Sequence, residues 1–337
     1  MTAADLLGGA LLCALVFYAL LGGADFGGGI WDLLAGGARR SEQRALVERA
    51  IGPIWEANHV WLVLVVVVLF TGFPAAFAEI SIALFVPLVL LLLGIVLRGA
   101  SFTFRTYERP EDRLQARWGA VFSASSVLAP LTLGIVVGAL ASGRLRIAAR
   151  GTDPWAWLAP FPLAVGLFAA ALFAYLAAAY LAVEADEPGL RADFRRRAIG
   201  AGVAVFLCAL LAGALSVKEA PLVFEGLTRR TWSIPLHLAT GTSAVAAFGA
   251  LLRDRVRSAR AAAVLQAALI VMGWGASQYP YLVVPDLTLA SASAPRATQV
   301  ALLWALAGGG VLLFPALYVL FRVFKGERPF SVVDRGR

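Results

Sequence analysis

The stretch 62–97, LVLVVVVLFTGFPAAFAEISIALFVPLVLLLLGIVL, decides the fold class of this chain. It contains one ionisable residue, Glu79, and two apolar runs that a turn region at Gly72 and Pro74 separates. A helix crosses a bilayer when roughly 20 mainly apolar residues follow one another, because the hydrocarbon core is about 30 Å thick. The two runs therefore predict two membrane-spanning helices.

The rest of the chain has the same apolar character. Of its 337 residues 60% are hydrophobic and 15% are charged, whereas soluble domains carry about 25% charged residues. The mean hydropathy is +0.80, and only lipid can solvate so much apolar surface. We predict an all-α integral membrane protein that forms a single membrane domain over 1–337, with nine helices at about 6–36, 54–77, 80–98, 116–141, 158–183, 199–217, 233–252, 262–283 and 300–323.

The basic residues indicate how these helices are oriented. Counted over alternate loops of the nine predicted spans, 22 lysines and arginines fall on one side and 7 on the other. The positive-inside rule places the richer side in the cytoplasm, so we expect the N-terminus outside and the C-terminus inside. The same clustering explains the net charge of +8 without a nucleic-acid partner. Arg98 and Arg105 lie at the cytoplasmic end of the third predicted span, where contact with lipid headgroups is the simplest expectation.

Two acids interrupt otherwise apolar spans. Asp25 lies in the glycine-rich segment 22–29, GGADFGGG, and Glu56 lies in the segment 51–61, IGPIWEANHVW. An ionisable group inside a membrane helix costs about 2.5–3.5 kcal/mol on insertion scales, so each acid is a candidate functional residue. Adjacent antiparallel helices would place both acids at similar depth, where two carboxyls in a low-dielectric site can relay protons. The alternative is that both acids lie near helix ends and reach cytoplasmic water.

Metal and haem ligands are scarce in this sequence. Glu56 and His59 form a Glu-x-x-His element on one helical face, but di-iron bundles need two such elements and further glutamates. The chain has two histidines, two methionines and two cysteines, so it could hardly supply axial ligands for several haems. We therefore predict no metal site, and we expect His59 to be a hydrogen-bonded partner of a carboxylate or an ordinary core residue.

Glycines at four-residue spacing predict close helix packing. Gly23 and Gly27 stand at this spacing in the first span, and Gly134 and Gly138 do so in the fourth. Small residues at such positions let two helix backbones approach each other in a membrane. We expect helix contacts at both pairs and no phosphate-binding loop, because no strand precedes either pair.

Several of these segments resemble one known family. The elements are GADFGGG at 23–29, IGPIWEANHVW at 51–61, LRGASFTFR at 97–105, APLTLG at 129–134 and YPYL at 279–282. In this order, and over nearly the whole chain, they are similar to subunit II of cytochrome bd-type quinol oxidases. The 51–61 element is the most specific part of the resemblance.

The resemblance implies a fold, an activity and a partner. The fold is nine helices in two four-helix bundles plus one peripheral helix. The partner is subunit I, which carries two b haems and haem d, oxidises quinol and reduces oxygen to water in an aerobic respiratory chain. The present chain would hold no haem, would not be catalytic by itself, and would contact quinol and lipid in a prokaryotic cytoplasmic membrane. The resemblance leaves open a structural quinone in this chain and a small accessory subunit.

The resemblance also assigns site residues. Asp25 and Glu56 match acids of a cytoplasmic proton path to which the family's subunit II contributes, and His59 is a further candidate. The supporting residues are Trp55, Asn58, Trp61 and Arg98. Three positions differ from some members: Glu56 replaces an aspartate, Gly22 stands where an additional acid occurs, and His59 replaces a glutamine.

A second function class stays open on the sequence. The same two acids would suit a proton- or cation-coupled transporter or an ion channel. Transporters often break helices at mid-membrane in matching halves of the fold, whereas the glycine-rich break here lies near one end of a single span. The sequence therefore favours the oxidase subunit, and a purely structural scaffold would leave the costly acids unexplained.

Overall fold

The computed structural model describes residues 2–51, 55–107, 113–145 and 153–325, and it describes side chains over 2–50, 57–104, 117–145, 153–320 and 322–323. These residues form a set of α-helices and one short β-hairpin. The helices are α1 (Ala3–Phe17), α2 (Gly23–Leu33), α3 (Arg40–Ile51), α4 (Trp55–Asn58), α5 (Val60–Gly72), α6 (Pro74–Ala83), α7 (Phe85–Tyr107), α8 (Arg113–Ala141), α9 (Pro160–Glu184), α10 (Pro188–Glu219), α11 (Pro221–Arg229), α12 (Ser233–Leu252), α13 (Val256–Gln278) and α14 (Arg296–Lys325).

Most of these helices are long enough to cross a membrane. Over the ranges that the structure describes, eight helical segments meet the length and hydropathy of a span, the first of them running from α1 through α2. The bent pair of α5 and α6 makes a ninth if it counts as one span. The prediction of an all-α membrane protein with about nine spans is thereby confirmed.

The spanning helices form two groups of four. In the first group α1 packs against α5, α2 packs against α8, and α7 packs against α8. In the second group α9 packs against α10 and α13, and α12 packs against α13. Helix α9 joins the two groups, because it also contacts α2 and α8. Helix α14 contacts α1 and α5 and is largely exposed, so it is the peripheral helix.

The second predicted span bends in the structure. Helix α5 ends at Gly72, and α6 begins at Pro74 with its axis at 116° to that of α5. Proline lacks an N–H and its ring clashes with the preceding turn, so Pro74 ends one helix and starts another. The fully buried Phe73 fills the corner. We predicted one break between 54–77 and 80–98, whereas the structure has helix ends on both sides of α6.

Backbone contact between α8 and α9 joins the two groups. A Cβ added to Gly134 would lie 2.6 Å from the Val165 carbonyl oxygen, and one added to Gly138 would lie 2.8 Å from the Pro162 Cα. Neither backbone atom can move aside cheaply, so only glycine allows this approach. The predicted close packing at the second glycine pair is confirmed.

A polar network holds the loop after α2 against α10. Arg39 donates two hydrogen bonds to the Asp193 carboxylate, of 2.9 and 2.7 Å, and Gln43 donates a third of 3.1 Å. These hydrogen bonds raise the pKa of the Arg39 guanidinium above its usual value, because the charged form is the one bound. Arg197 donates to the Gln43 side-chain oxygen over 2.7 Å and lies over the Trp31 ring. Helix α3 is therefore fixed beside the end of α2.

A two-stranded antiparallel hairpin follows α13. Its strands are β1 (Tyr281–Val283) and β2 (Leu287–Thr288), and cis peptide bonds precede Pro280 and Pro285. The Val284 amide donates a 3.1 Å hydrogen bond to the carbonyl of Leu140 at the end of α8. The hairpin thus closes the end of the first helix group that lies opposite α3.

Candidate functional site

The first span contains a π-helical turn directly before the glycine-rich segment. Five residues, Tyr18–Gly22, form this turn and join α1 to α2 without a break. Tyr180 of α9 donates its hydroxyl to the Leu20 carbonyl over 3.1 Å, which satisfies a backbone group that the wider turn exposes. Gly22 lets the Tyr18 ring lie against the turn, because a Cβ there would be 2.7 Å from the ring. Single π turns occur frequently at functional sites.

Asp25 lies one turn after this feature and is buried. Its side chain is 4% exposed, and the Asn58 amide nitrogen donates a 2.5 Å hydrogen bond to its Oδ2. Asn58 ends α4 and is itself buried, so the chain segment around the second predicted acid reaches the first. Trp55 and Glu56 belong to α4, but their side chains lie outside the described residues. The structure therefore brings the two predicted segments together through Asn58.

Arg98 of α7 completes the surroundings of Asp25. Its side chain is 2% exposed, donates a 3.0 Å hydrogen bond to the Asp25 carbonyl, and lies over the rings of Phe26 and Phe122 at 5.1 and 5.3 Å. The expected contact with lipid headgroups is therefore wrong for Arg98. A buried guanidinium needs carbonyl, carboxylate or aromatic partners, and this site provides them.

Three buried polar atoms surround Asp25 without a protein hydrogen-bond partner among the described residues. They are the Tyr18 hydroxyl, the Asn58 side-chain oxygen and the Arg98 Nε. Tyr18 and Arg98 are both close enough to Asp25 to interact with it electrostatically. Buried polar atoms of this kind bind ordered water in proteins, since a buried water takes about three hydrogen bonds. The arrangement can therefore hold water next to the carboxyl group.

The other predicted site residues have different surroundings. The His59 ring lies against Tyr18 and Phe26, with ring centres 6.0 and 5.8 Å apart. Trp61 stacks on Phe17 with ring centres 4.3 Å apart, so it packs α5 against α1. Of the residues predicted to support Asp25, Asn58 and Arg98 contact it directly.

Sequence reasoning missed a second buried acid on the same helix. Asp32 is 1% exposed and accepts a hydrogen bond of 3.0 Å from Ser123 of α8. Asp32 lies in the polar end of the first predicted span, where an acid is normally interpreted as a loop residue. Its spacing from Asp25 was the available signal, because residues seven apart lie on one face of an α-helix.

The glycine-rich segment packs α2 tightly against α9. A Cβ on Gly27 would overlap the Phe173 carbonyl oxygen, and one on Gly23 would be 2.6 Å from the Phe173 ring. Trp31 adds a 2.7 Å hydrogen bond from its indole nitrogen to the Ala174 carbonyl. The predicted close packing at the first glycine pair is confirmed, and it holds Asp25 at a defined depth.

Comparison with known proteins identifies the family to which this chain belongs. A model of the family described as cytochrome bd terminal oxidase subunit II matches residues 4–324. The chain belongs to this family. The subunit is therefore part of a quinol oxidase complex with a subunit I, and it is a multi-pass protein of the prokaryotic cytoplasmic membrane.

Individual relatives agree with this assignment. The subunit is 23% identical over 330 residues to a Bacillus subtilis (strain 168) protein described as a cytochrome bd menaquinol oxidase subunit II, and the match covers 93% of each chain. It is 28% identical over 207 residues to the cytochrome bd-I ubiquinol oxidase subunit 2 of Escherichia coli (strain K12), covering 59% of the subunit and 53% of the relative. The bd oxidase structure from Geobacillus thermodenitrificans superposes with a TM-score of 0.82 at 25% identity, covering 97% of the subunit and 100% of that chain.

The subunit has few side chains of the kinds that bind metal ions. Within the part of the chain that the structure describes, no cluster of three or more His, Cys, Asp or Glu side chains could hold a metal ion. The His237 Nε2 lies 2.7 Å from the Leu227 carbonyl oxygen, and His59 lies in the aromatic surroundings described above. The two histidines of the subunit are thus both in contact with other groups.

Proposed function

We propose that this subunit carries protons from the cytoplasm towards subunit I, with Asp25 and Glu56 as the relay carboxyls. The observation that supports it is the burial of the Asp25 carboxyl beside Asn58, Arg98 and Tyr18, each of which has a buried polar atom with no hydrogen-bond partner among the described residues. A carboxyl in a membrane helix costs about 2.5–3.5 kcal/mol on insertion scales, and a packing role alone does not require it. Glu56 joins the proposal through the family resemblance of its segment.

The proposal also includes the orientation of the subunit in the membrane and the separate roles of the two subunits. The N-terminus lies outside and the C-terminus in the cytoplasm, as the 22 basic residues on one side support. Two b haems and haem d belong to subunit I, where they would oxidise quinol and reduce oxygen to water. Proton uptake from the cytoplasm and proton release from quinol on the other side would build a membrane potential. Quinol and lipid contact the complex, and a small accessory subunit is compatible with it.

An apolar cavity supports the binding of a structural quinone to this subunit. It has a volume of about 650 Å³ and lies between α1, α5 to α8, α13 and the hairpin. Leucines such as Leu62 and Leu88 line its walls, and Gln278 and Tyr279 lie at its hairpin end. Cavities of roughly this size bury drug-sized ligands. We propose that an isoprenoid quinone occupies it.

Extraction of the purified complex tests this proposal. We expect quinone in the organic extract of the wild type, and a large fall in quinone for Leu62→Trp, whose larger side chain would narrow the cavity. Leu252→Trp, at an exposed leucine elsewhere on the subunit, is the matched control and should keep the wild-type content. Mass spectrometry that finds lipid but no quinone in the wild type would overturn the proposal.

Isosteric replacement of the two acids tests the proton path. Asp25→Asn and Glu56→Gln keep the side-chain shape and remove the proton-carrying group. We expect each to lower quinol-driven oxygen uptake by about ten-fold or more, because a positioned proton donor contributes roughly 10²–10⁴-fold. The haem spectrum per purified complex should not change. Glu79→Gln, at an acid of α6 without an assigned role, should leave turnover at the wild-type rate.

Two outcomes would contradict the proposed function. Wild-type turnover of both Asp25→Asn and Glu56→Gln, in complexes with full haem content, would remove the proton path. Purification of the chain without a haem-bearing partner, even after crosslinking in its own membrane, would favour the proton- or cation-coupled transporter. The family assignment supports the oxidase subunit.

A further inference from the structure

A second carboxyl lies on the same face of α2 as Asp25. Asp32 follows it by seven residues, which is two helical turns and about 10.5 Å along the axis. The Asp32 side chain is 1% exposed, so it is as deeply buried as Asp25. Because α2 ends at Leu33, Asp32 is at the end of the span from which the loop towards α3 departs. By the orientation proposed above, this is the cytoplasmic end.

Among the residues that the structure describes, Arg44 connects Asp32 to the surface. The Arg44 Nε donates a 3.3 Å hydrogen bond to the Asp32 carbonyl and lies 3.9 Å from the Asp32 Oδ1. The Arg44 side chain is 35% exposed, so it extends from the buried carboxyl to the aqueous side. The Arg44 guanidinium therefore places a positive charge beside the buried Asp32 carboxyl.

Two serines of α8 continue from Asp32 towards Asp25. Ser123 donates a 3.0 Å hydrogen bond to the Asp32 Oδ2. Ser126 lies one turn further along the same face of α8, and a Cβ on Gly29 would overlap its Oγ and Cβ. The Ser126 hydroxyl thus occupies the space on α2 that Gly29 leaves open, between the two acids. We call these residues of α2 and α8 (Asp25, Gly29, Asp32, Ser123 and Ser126) the polar seam.

Stability alone does not explain the polar seam. The pair of Arg44 and Asp32 is partly exposed and its closest side-chain atoms are 3.9 Å apart, and pairs of this kind stabilise a fold only slightly. Burial of a carboxyl in a membrane helix costs more than that. An apolar residue at Asp32 would pack α2 against α8 without this cost.

We propose that Asp32 is the first proton acceptor of the relay that leads to Asp25. A proton from cytoplasmic water binds the Asp32 carboxylate beside Arg44. It then moves through the Ser126 hydroxyl and bridging water to the Asp25 carboxylate, and Asp32 returns to its ionised form. Only protons move in this step. The Ser126 hydroxyl donates to the Phe122 carbonyl in the structure, and a hydroxyl can rotate to another partner. The inference rests on the proposed proton path through Asp25.

The test measures proton uptake by the complete oxidase in detergent with a pH-sensitive dye during a single turnover. We expect Asp32→Asn to slow uptake by about ten-fold, with unchanged haem spectra, because the amide cannot carry a proton. Asp32→Glu should restore most of the rate. A small weak acid such as formic acid, added to the buffer, should accelerate Asp32→Asn and leave Asp32→Glu unchanged, which a purely structural role would not produce.

Matched serine variants separate the polar seam from general damage to α8. Ser126→Ala should slow uptake several-fold. Ser125→Ala removes a neighbouring buried hydroxyl that donates to the Val121 carbonyl of its own helix, and it should keep the wild-type rate. If Asp32→Asn does not assemble, Ser126→Ala decides: a wild-type rate overturns the inference and a slowed rate supports it.

Parallel measurement of Asp25→Asn distinguishes the two proposals. Slow uptake in Asp25→Asn with the wild-type rate in Asp32→Asn overturns the role of Asp32 and leaves the proposed function standing. The wild-type rate in both variants overturns both proposals. Because the acids act in series, the double variant should be no slower than Asp25→Asn alone. A further slowing of the double variant would place Asp32 on a separate path and overturn the inference.

Discussion

Replacement of Arg98 by leucine is expected to remove most of the assembled oxidase from the membrane. Arg98 is 2% exposed, and its guanidinium contacts the Asp25 carbonyl and two aromatic rings. Without it, the Asp25 carboxyl stays buried with its electrostatic partner removed. Removing one member of a buried charged pair costs about 3–5 kcal/mol. A loss of stability of this size should appear as a large decrease in the yield of purified complex and in haem absorbance per milligram of membrane protein.

Two further variants show whether the loss comes from the uncompensated carboxyl. Arg98→Leu combined with Asp25→Leu removes both charged groups, so assembly should recover although turnover should not. Arg39→Leu is the control at an arginine that is 39% exposed, because ion pairs near water, such as that of Arg39 with Asp193, stabilise a fold only slightly. Equal yields of the wild type and of Arg98→Leu would show that Arg98 does not compensate the charge of Asp25.

Substitution of Gly27 by alanine is expected to separate α2 from α9 and to prevent assembly. The added Cβ would overlap the Phe173 carbonyl oxygen and lie 2.7 Å from the Ala177 Cβ. The overlapping atom belongs to a helix backbone, so the whole helix must shift and the Trp31 hydrogen bond to Ala174 must break. Overpacking of a tight core typically costs about 1–3 kcal/mol. Because the contact here is with a backbone atom, we expect a cost near the upper end of that range.

The same glycine-to-alanine change elsewhere in the first span is the control. Gly9 of α1 has no heavy atom within 4 Å of an added Cβ, so Gly9→Ala should assemble normally. Size-exclusion chromatography of both variants, with the haem absorbance of the complex peak, gives the comparison. If Gly27→Ala elutes as a complex of wild-type yield, the contact of α2 with α9 is looser than the structure indicates.

The fold class and one site residue could be predicted because they depend on composition along the chain. Long apolar runs require a bilayer, and an acid inside such a run is costly wherever its side chain points. Asp25 was therefore predictable from its position alone. Asn58 was predicted through the family resemblance, while its hydrogen bond to Asp25 depends on how α4 folds towards α2.

Other features could not be predicted because they depend on how side chains and helices are oriented in the folded protein. Arg98 lies at the end of an apolar run, and its position in the sequence does not show whether it points to lipid headgroups or to Asp25. Asp32 was assigned to the polar end of a span, and its burial depends on α3 and α8 packing against it. The bend at Pro74 was predicted as a boundary between spans, but its angle depends on where Phe73 is buried.

The π turn at Tyr18–Gly22 also determines which way α2 faces. Such a turn holds one residue more than an α-helical turn, and each residue of an α-helix rotates the chain by about 100°. All residues after the turn are therefore rotated as a unit relative to α1. Deleting one residue there would rotate the Asp25 side of α2 away from Asn58 and the Gly27 side away from α9. This segment should accept changes of side chain more readily than any change in its length.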